Sequence, residues 1–95
     1  MNKYQKLKKY LEELSKYLDI IVVHNESTKK YLEIYKDYVD ELIEVVDDKT
    51  IEASDGALLG LLRGISDYDE LCSDEKLRKL AKRADSYYGN ECKDL

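Results

Sequence analysis

The sequence predicts an all-α protein: a small antiparallel helical bundle of four main helices plus one short connecting helical turn. Three observations carry that expectation. Apolar residues recur at spacings of three and four along most of the chain, as they do on one face of a helix. No proline interrupts them. The composition, 43% apolar and 39% charged, is too apolar for a disordered chain and suits helices with one greasy and one densely charged side. The 95 residues are read as a single domain, 1–95, and folding at that size removes only about 60–65% of the unfolded surface from water, so one core is the limit.

The first helix is expected over residues 2–22, where Tyr4, Leu7, Leu11, Leu14, Leu18 and Ile21 form one stripe widened by Tyr10 and Tyr17. Ile20 to Val23 is a β-branched run that leaves helix and extended chain both open for residues 19–24, and helix is preferred because an isolated strand would lack a partner. Asn25, Ser27 and Thr28 are candidate N-caps for a second helix over 26–47, whose apolar residues cover about half its circumference. A third helix is expected over 54–65, capped by Thr50 or Ser54, although Asp55-Gly56 also reads as a turn. Ser66 and Asp69 suggest a capping box for a short helix over 67–72, and Ser73 a cap for the last helix, 74–88, with Gly89 as its stop and 90–95 as a frayed tail. Short connections between amphipathic helices favour antiparallel neighbours.

Several function classes fall away at this level. The longest apolar runs, Ile20–Val23 and Ala57–Leu62, are far short of the ~20 residues that cross a bilayer, so no membrane partner is expected. The basic N-terminus leads into leucines interrupted by Glu12 and Glu13, unlike a secretory leader, which points to the cytoplasm, and the excess of lysine over arginine with tyrosine as the sole aromatic suggests an AT-rich bacterial host or its phage. Cys72 and Cys92 lie too far apart for a CxxC pair and are read as reduced thiols. The only histidine, His24, has no partner nearby in sequence for a triad or metal site; no catalytic residue, metal or cofactor is expected. A net charge of −5 opposes direct binding to nucleic acid, and the cations Lys76, Arg78, Lys79, Lys82 and Arg83 are preceded by a run of acids, unlike the extended basic surface of a DNA-binding domain.

Two constellations remain as candidate sites. Asp37, Asp40, Glu41, Glu44, Asp47 and Asp48, with Glu33, fall on the side of the second helix opposite its apolar half. Like charges at such spacings cost a helix about 0.2–0.5 kcal/mol per pair, and acids near the C-terminal end oppose the macrodipole, so helix stability does not explain the strip. One explanation is structural: the lysines at the start of the first helix would lie beside the acidic end of the second in an antiparallel pair and reach border acids such as Glu41 and Asp48, leaving Asp37, Asp40 and Glu44 outward. The other is a binding face for a protein partner with a basic surface, a nucleic-acid-handling protein among the candidates, since a line of carboxylates can imitate phosphates. The second constellation is the small-residue stripe Gly56, Gly60 and Gly64, opposite Leu58 and Leu62, which either lets tyrosine rings pack on a central third helix or lines a ligand pocket or homodimer contact with Tyr31, Tyr35 and Tyr38.

The segment ELIEVVDD, with Glu41, Glu44 and Asp47 or Asp48, resembles half of the carboxylate pattern of the all-helical MazG-type nucleotide pyrophosphohydrolases; the ExxD that such enzymes carry on a later helix has no counterpart here. In length, acidity and helical build the chain also resembles phage-encoded inhibitors of bacterial defence, such as anti-CRISPR proteins, and the bacteriocin immunity proteins, which are four-helix bundles. The first of these implies a non-catalytic inhibitor that occupies a site on a macromolecule. A small-molecule sponge for a nucleotide signal is the alternative attached to the glycine stripe.

Overall fold

The computed structural model describes residues 1–95 and is all-helical, with five helices and no strand. Three are long: α1 (Lys3–Ile20), α2 (Glu26–Asp47) and α5 (Glu75–Glu91). Two are single turns inside the connector between α2 and α5: α3 (Leu61–Ile65) and α4 (Asp69–Cys72). The small helical bundle is therefore present, but only three of its helices are long.

The central element is α1. Asn2 caps it reciprocally: its side chain accepts the Gln5 N–H, and its own N–H donates to the Gln5 side chain. Leu7, Leu11, Leu14 and Leu18 are all buried along one stripe. Against this stripe α2 places Val39, Leu42 and Val46, and α5 places Leu77, Ala81 and Ala84. Each fully buried leucine contributes about 1.5–3 kcal/mol, so this shared seam is the main source of stability. Both neighbours run antiparallel to α1. On one side Lys8, Ser15 and Asp19 meet Asp47, Asp40 and Lys36 in turn; on the other Lys3, Glu13 and Tyr17 meet Asp94, Arg83 and Asp74.

The chain leaves helix sooner than the first stripe predicts. Ile21 is extended and residues 21–25 are irregular, because Asn25 caps α2 by accepting the Thr28 N–H and the chain must turn before it. Val23 is buried there and Val22 is exposed. At the other end of α2, the Lys49 N–H bonds Val46 O and the Thr50 N–H bonds Val45 O, with Lys49 at a φ of 58°. This is a Schellman stop with lysine at the position glycine usually takes.

The expected third helix over 54–65 is absent except for its last turn. Asp55 (φ 49°), Gly56 (φ 88°) and Gly60 (φ 80°) sit in left-handed conformations, which no right-handed helix can include. The Asp55-Gly56 turn signal wins over the helical spacing, so Gly56, Gly60 and Gly64 form no stripe on a helix. Ser54 is no helix cap: it is buried, and its backbone N–H bonds Cys92 O at 2.9 Å.

The last helix is capped by Asp74, not Ser73, and continues through Gly89 to Glu91. Gly89 is helical because it is a contact point: a Cβ there would lie 2.8 Å from Leu58 Cδ2 and 3.3 Å from Ala57 O. Nor is the tail loose in structure, since Cys92 is fully buried and Asp94 pairs with Lys3 at 2.7 Å. Before α4, Ser66 donates to Arg63 O, and Tyr68, with no side-chain bond, occupies the cap position; no capping box forms.

Candidate binding surfaces

The acidic side of α2 divides into two rows. Asp40 accepts from Ser15 Oγ at 2.7 Å and Asp47 from Lys8 Nζ at 2.7 Å, so these two border α1. Lys36 pairs with Asp19, and its ammonium is held above the ordinary lysine value by that bond first and by Asp40 and Asp37 after it. The border acids are thus Asp40 and Asp47, not Glu41 and Asp48 as the helical wheel suggests, because α1 lies nearer the Lys36–Asp47 flank. Asp37, Glu41, Glu44 and Asp48 are exposed and make no ion pair.

No lysine or arginine stands three or four residues from Asp37, Glu41 or Glu44, whereas other acids do. Asp37 neighbours Glu33, Asp40 and Glu41 at that spacing, and Glu44 neighbours Asp40, Glu41, Asp47 and Asp48. The outer row is therefore a source of repulsion within α2, offset inside the fold only where Lys36 lies near Asp37. Glu41 and Glu44 open to solvent while Asp47 is tied to α1, and nowhere do three or more His, Cys, Asp or Glu side chains come together in a way that could hold a metal ion.

The second candidate surface is arranged differently from its expectation. Tyr35 donates its hydroxyl to Leu61 O at 2.8 Å, Tyr38 to Leu59 O at 2.7 Å, and Tyr31 to Gly64 O. Tyr31 stacks on Tyr68, with ring centres 4.1 Å apart. These tyrosines fasten the connector to α2; a depression of about 590 Å³ beside Gly60 is lined by Leu58, Leu62, Arg63, Ser66 and Asp85, and none of the three tyrosines borders it. Only Gly64 serves close approach: a Cβ there would sit 3.1 Å from the Tyr35 ring. Gly56 and Gly60 would offer open space to a Cβ, and each adopts a positive φ that favours glycine. Burial, followed by the nearby Asp85 carboxylate, pushes the Tyr35 phenol well above the usual tyrosine range, and Tyr38 shifts the same way for the same reasons.

The sequence reading missed two residues that hold the connector. Asp85, 3% exposed on α5, accepts the N–H groups of Leu61 and Leu62 at 3.1 and 2.9 Å and so caps α3 from another helix. A hint was available, because Asp85 follows Ala84 on the edge of an apolar stripe where a charge needs a partner. Glu70 on α4 accepts the N–H groups of His24 and Asn25, both at 2.7 Å, and these bonds hold its carboxyl below the usual range. Nothing in the local sequence announces that contact. His24 itself is exposed, Cys72 is half-buried, and burial pushes the Cys92 thiol up.

No protein-family model, no curated protein and no solved structure matches this chain. No helix is long and apolar enough to cross a membrane.

Proposed function

We propose that this is a non-catalytic binding protein that sets the outer acidic row of α2 against the basic surface of a macromolecular partner. The observation that carries the reading is the outer row itself: Asp37, Glu41 and Glu44 are exposed and make no ion pair, and they repel one another on a helix whose opposite side is fixed by the core. Repulsion that the fold does not need is relieved by a partner's lysines and arginines, and the same charges would accelerate its approach. A protein that normally holds nucleic acid presents such a surface. Within this reading the chain acts as an inhibitor of the anti-defence type carried by phages and mobile elements, blocking a site by occupying it in the bacterial cytoplasm.

The test is capture from a lysate of a low-GC bacterium that carries defence systems, comparing the native chain with Asp37→Lys/Glu41→Lys/Glu44→Lys. A stoichiometric protein retained by the first and lost by the second, with an affinity that falls as salt rises, supports the reading. Retention unchanged by the reversal removes α2 from the interface.

A further inference from the structure

The two flanks of α1 differ. Ion pairs cross both, but the depression beside α2 is only about 190 Å³, while the α5 side opens wider and its walls follow a regular pattern. On α1, Lys6, Tyr10, Glu13, Tyr17 and Ile20 succeed one another at spacings of four and three, and on α5 so do Lys76, Leu80, Arg83, Tyr87 and Asn90. Between them lie two shallow depressions of about 540 and 410 Å³, separated by the Glu13–Arg83 ion pair.

The floor is aromatic and the charge above it positive. Tyr10 and Tyr87 meet edge to face at 5.5 Å, and Arg83, Lys76 and Lys6 lie over the rings of Tyr10, Tyr17 and Tyr87 at 4.3, 5.1 and 5.7 Å. Lys16 lines the smaller depression, and the exposed Lys9 and Lys79 stand one helical turn from Glu13 and Arg83; none of the three makes an ion pair. The acids facing the groove are Glu13, already tied to Arg83, and Glu91; Asp74 holds the Tyr17 hydroxyl at one end. In a chain of net charge −5, the lining of this groove is net positive, with Lys6, Lys16, Lys76 and Arg83 against Glu13 and Glu91.

From Lys6 to Ile20 the groove runs about 21 Å at the helical rise of 1.5 Å per residue, room for about four turns of a third helix. Two rows spaced by threes and fours accept a helix whose own outer residues follow the same spacing. Such a helix is present in the molecule: the exposed face of α2 carries Glu33, Asp37, Glu41, Glu44 and Asp48 at spacings of four, four, three and four. We propose that the α1–α5 groove of one copy receives the acidic face of α2 from a second copy. The inference rests on α2 being a docking face, as above, and adds that the chain carries a matching basic surface of its own. The contact joins two different surfaces, so copies associate head to tail with a free groove at one end and a free acidic face at the other. A foreign basic partner competes for that face.

Sedimentation equilibrium of the full chain over a wide concentration range tests this, at about 0.01 M and about 1 M salt, where charges are screened beyond about 30 and about 3 Å. The average mass is expected to exceed the monomer and rise with concentration at low salt, and to return to the monomer at high salt. Lys9→Glu/Lys16→Glu/Lys79→Glu and Asp37→Lys/Glu41→Lys/Glu44→Lys, all at exposed positions, each remain monomeric alone, and their equimolar mixture associates, because the intact acidic face of the first meets the intact groove of the second and the two reversed faces are complementary as well. A native chain that stays monomeric, or variants that still associate, overturns the proposal. If the native chain is monomeric yet the α2 reversal loses a captured partner, this inference fails while the proposed function stands.

Discussion

The α1, α2 and α5 layer and the connector between α2 and α5 are stabilised by different physics. The three long helices share a continuous leucine, valine and alanine seam, in which each residue is one of many near-equivalent contributors. Residues 49–74 bury fewer apolar side chains, and specific polar contacts tether them: three tyrosine hydroxyls from α2, the Asp85 carboxylate from α5 and the Tyr88 hydroxyl on Glu52 O. A seam fails gradually and globally; a tether fails singly and locally.

Substitutions should separate the two regimes. The largest effect is expected in the seam: Leu11→Ala or Leu14→Ala, at fully buried positions, should cost about 2–5 kcal/mol in urea denaturation and lower the midpoint for every probe together. Asp85→Ala comes next. It strands the Leu61 and Leu62 N–H groups and should cost about 1–3 kcal/mol, with amide exchange rising through the connector while α1 and α2 stay protected. Should α1 exchange rise equally after Asp85→Ala, the connector is no separate unit. Lys49→Gly relieves a left-handed lysine and should raise the unfolding free energy by up to about 1 kcal/mol.

A smaller, pH-dependent effect belongs to Glu70. Its carboxyl is held below its ordinary value, so the stabilisation it gives is complete above that value and is lost as pH falls through the lower, folded one. The His24 and Asn25 amide resonances should therefore titrate with a midpoint below the usual glutamate range, and Glu70→Gln should remove that step. An unchanged titration in Glu70→Gln would place the contact elsewhere.

The same contrast explains what could be read in advance. Apolar periodicity reports faces, so the seam of α1, the core positions Val39, Leu42 and Val46 of α2 and the all-helical class were legible from apolar spacing, while Ile34 and Tyr38, counted on the same face, are exposed. Periodicity says nothing about φ, and it therefore carried a helix through Asp55, Gly56 and Gly60, where turn chemistry decided otherwise. It also cannot pair residues distant in sequence: Asp85 with Leu61, Glu70 with His24 and Cys92 with Ser54 are separated by 24, 46 and 38 positions along the chain. The tyrosines show the cost most clearly, since Tyr31, Tyr35 and Tyr38 read as a stacking surface only while the destination of their hydroxyls is unknown. The acidic row was legible as a cluster, but which acids α1 claims depended on a rotation of α2 that spacing does not set.

The strip on α2 stands outside both regimes, because the outer acids neither join the seam nor tether the connector. The direct test is the urea midpoint of Asp37→Asn/Glu41→Gln/Glu44→Gln at low salt, a variant that removes charge without adding new pairs. The midpoint should hold or rise, reflecting about 0.2–0.5 kcal/mol of stability for each like-charge pair removed, and the gain should shrink as salt is added. A midpoint that falls would mean these carboxylates serve the fold, and the case for α2 as a binding face would be lost.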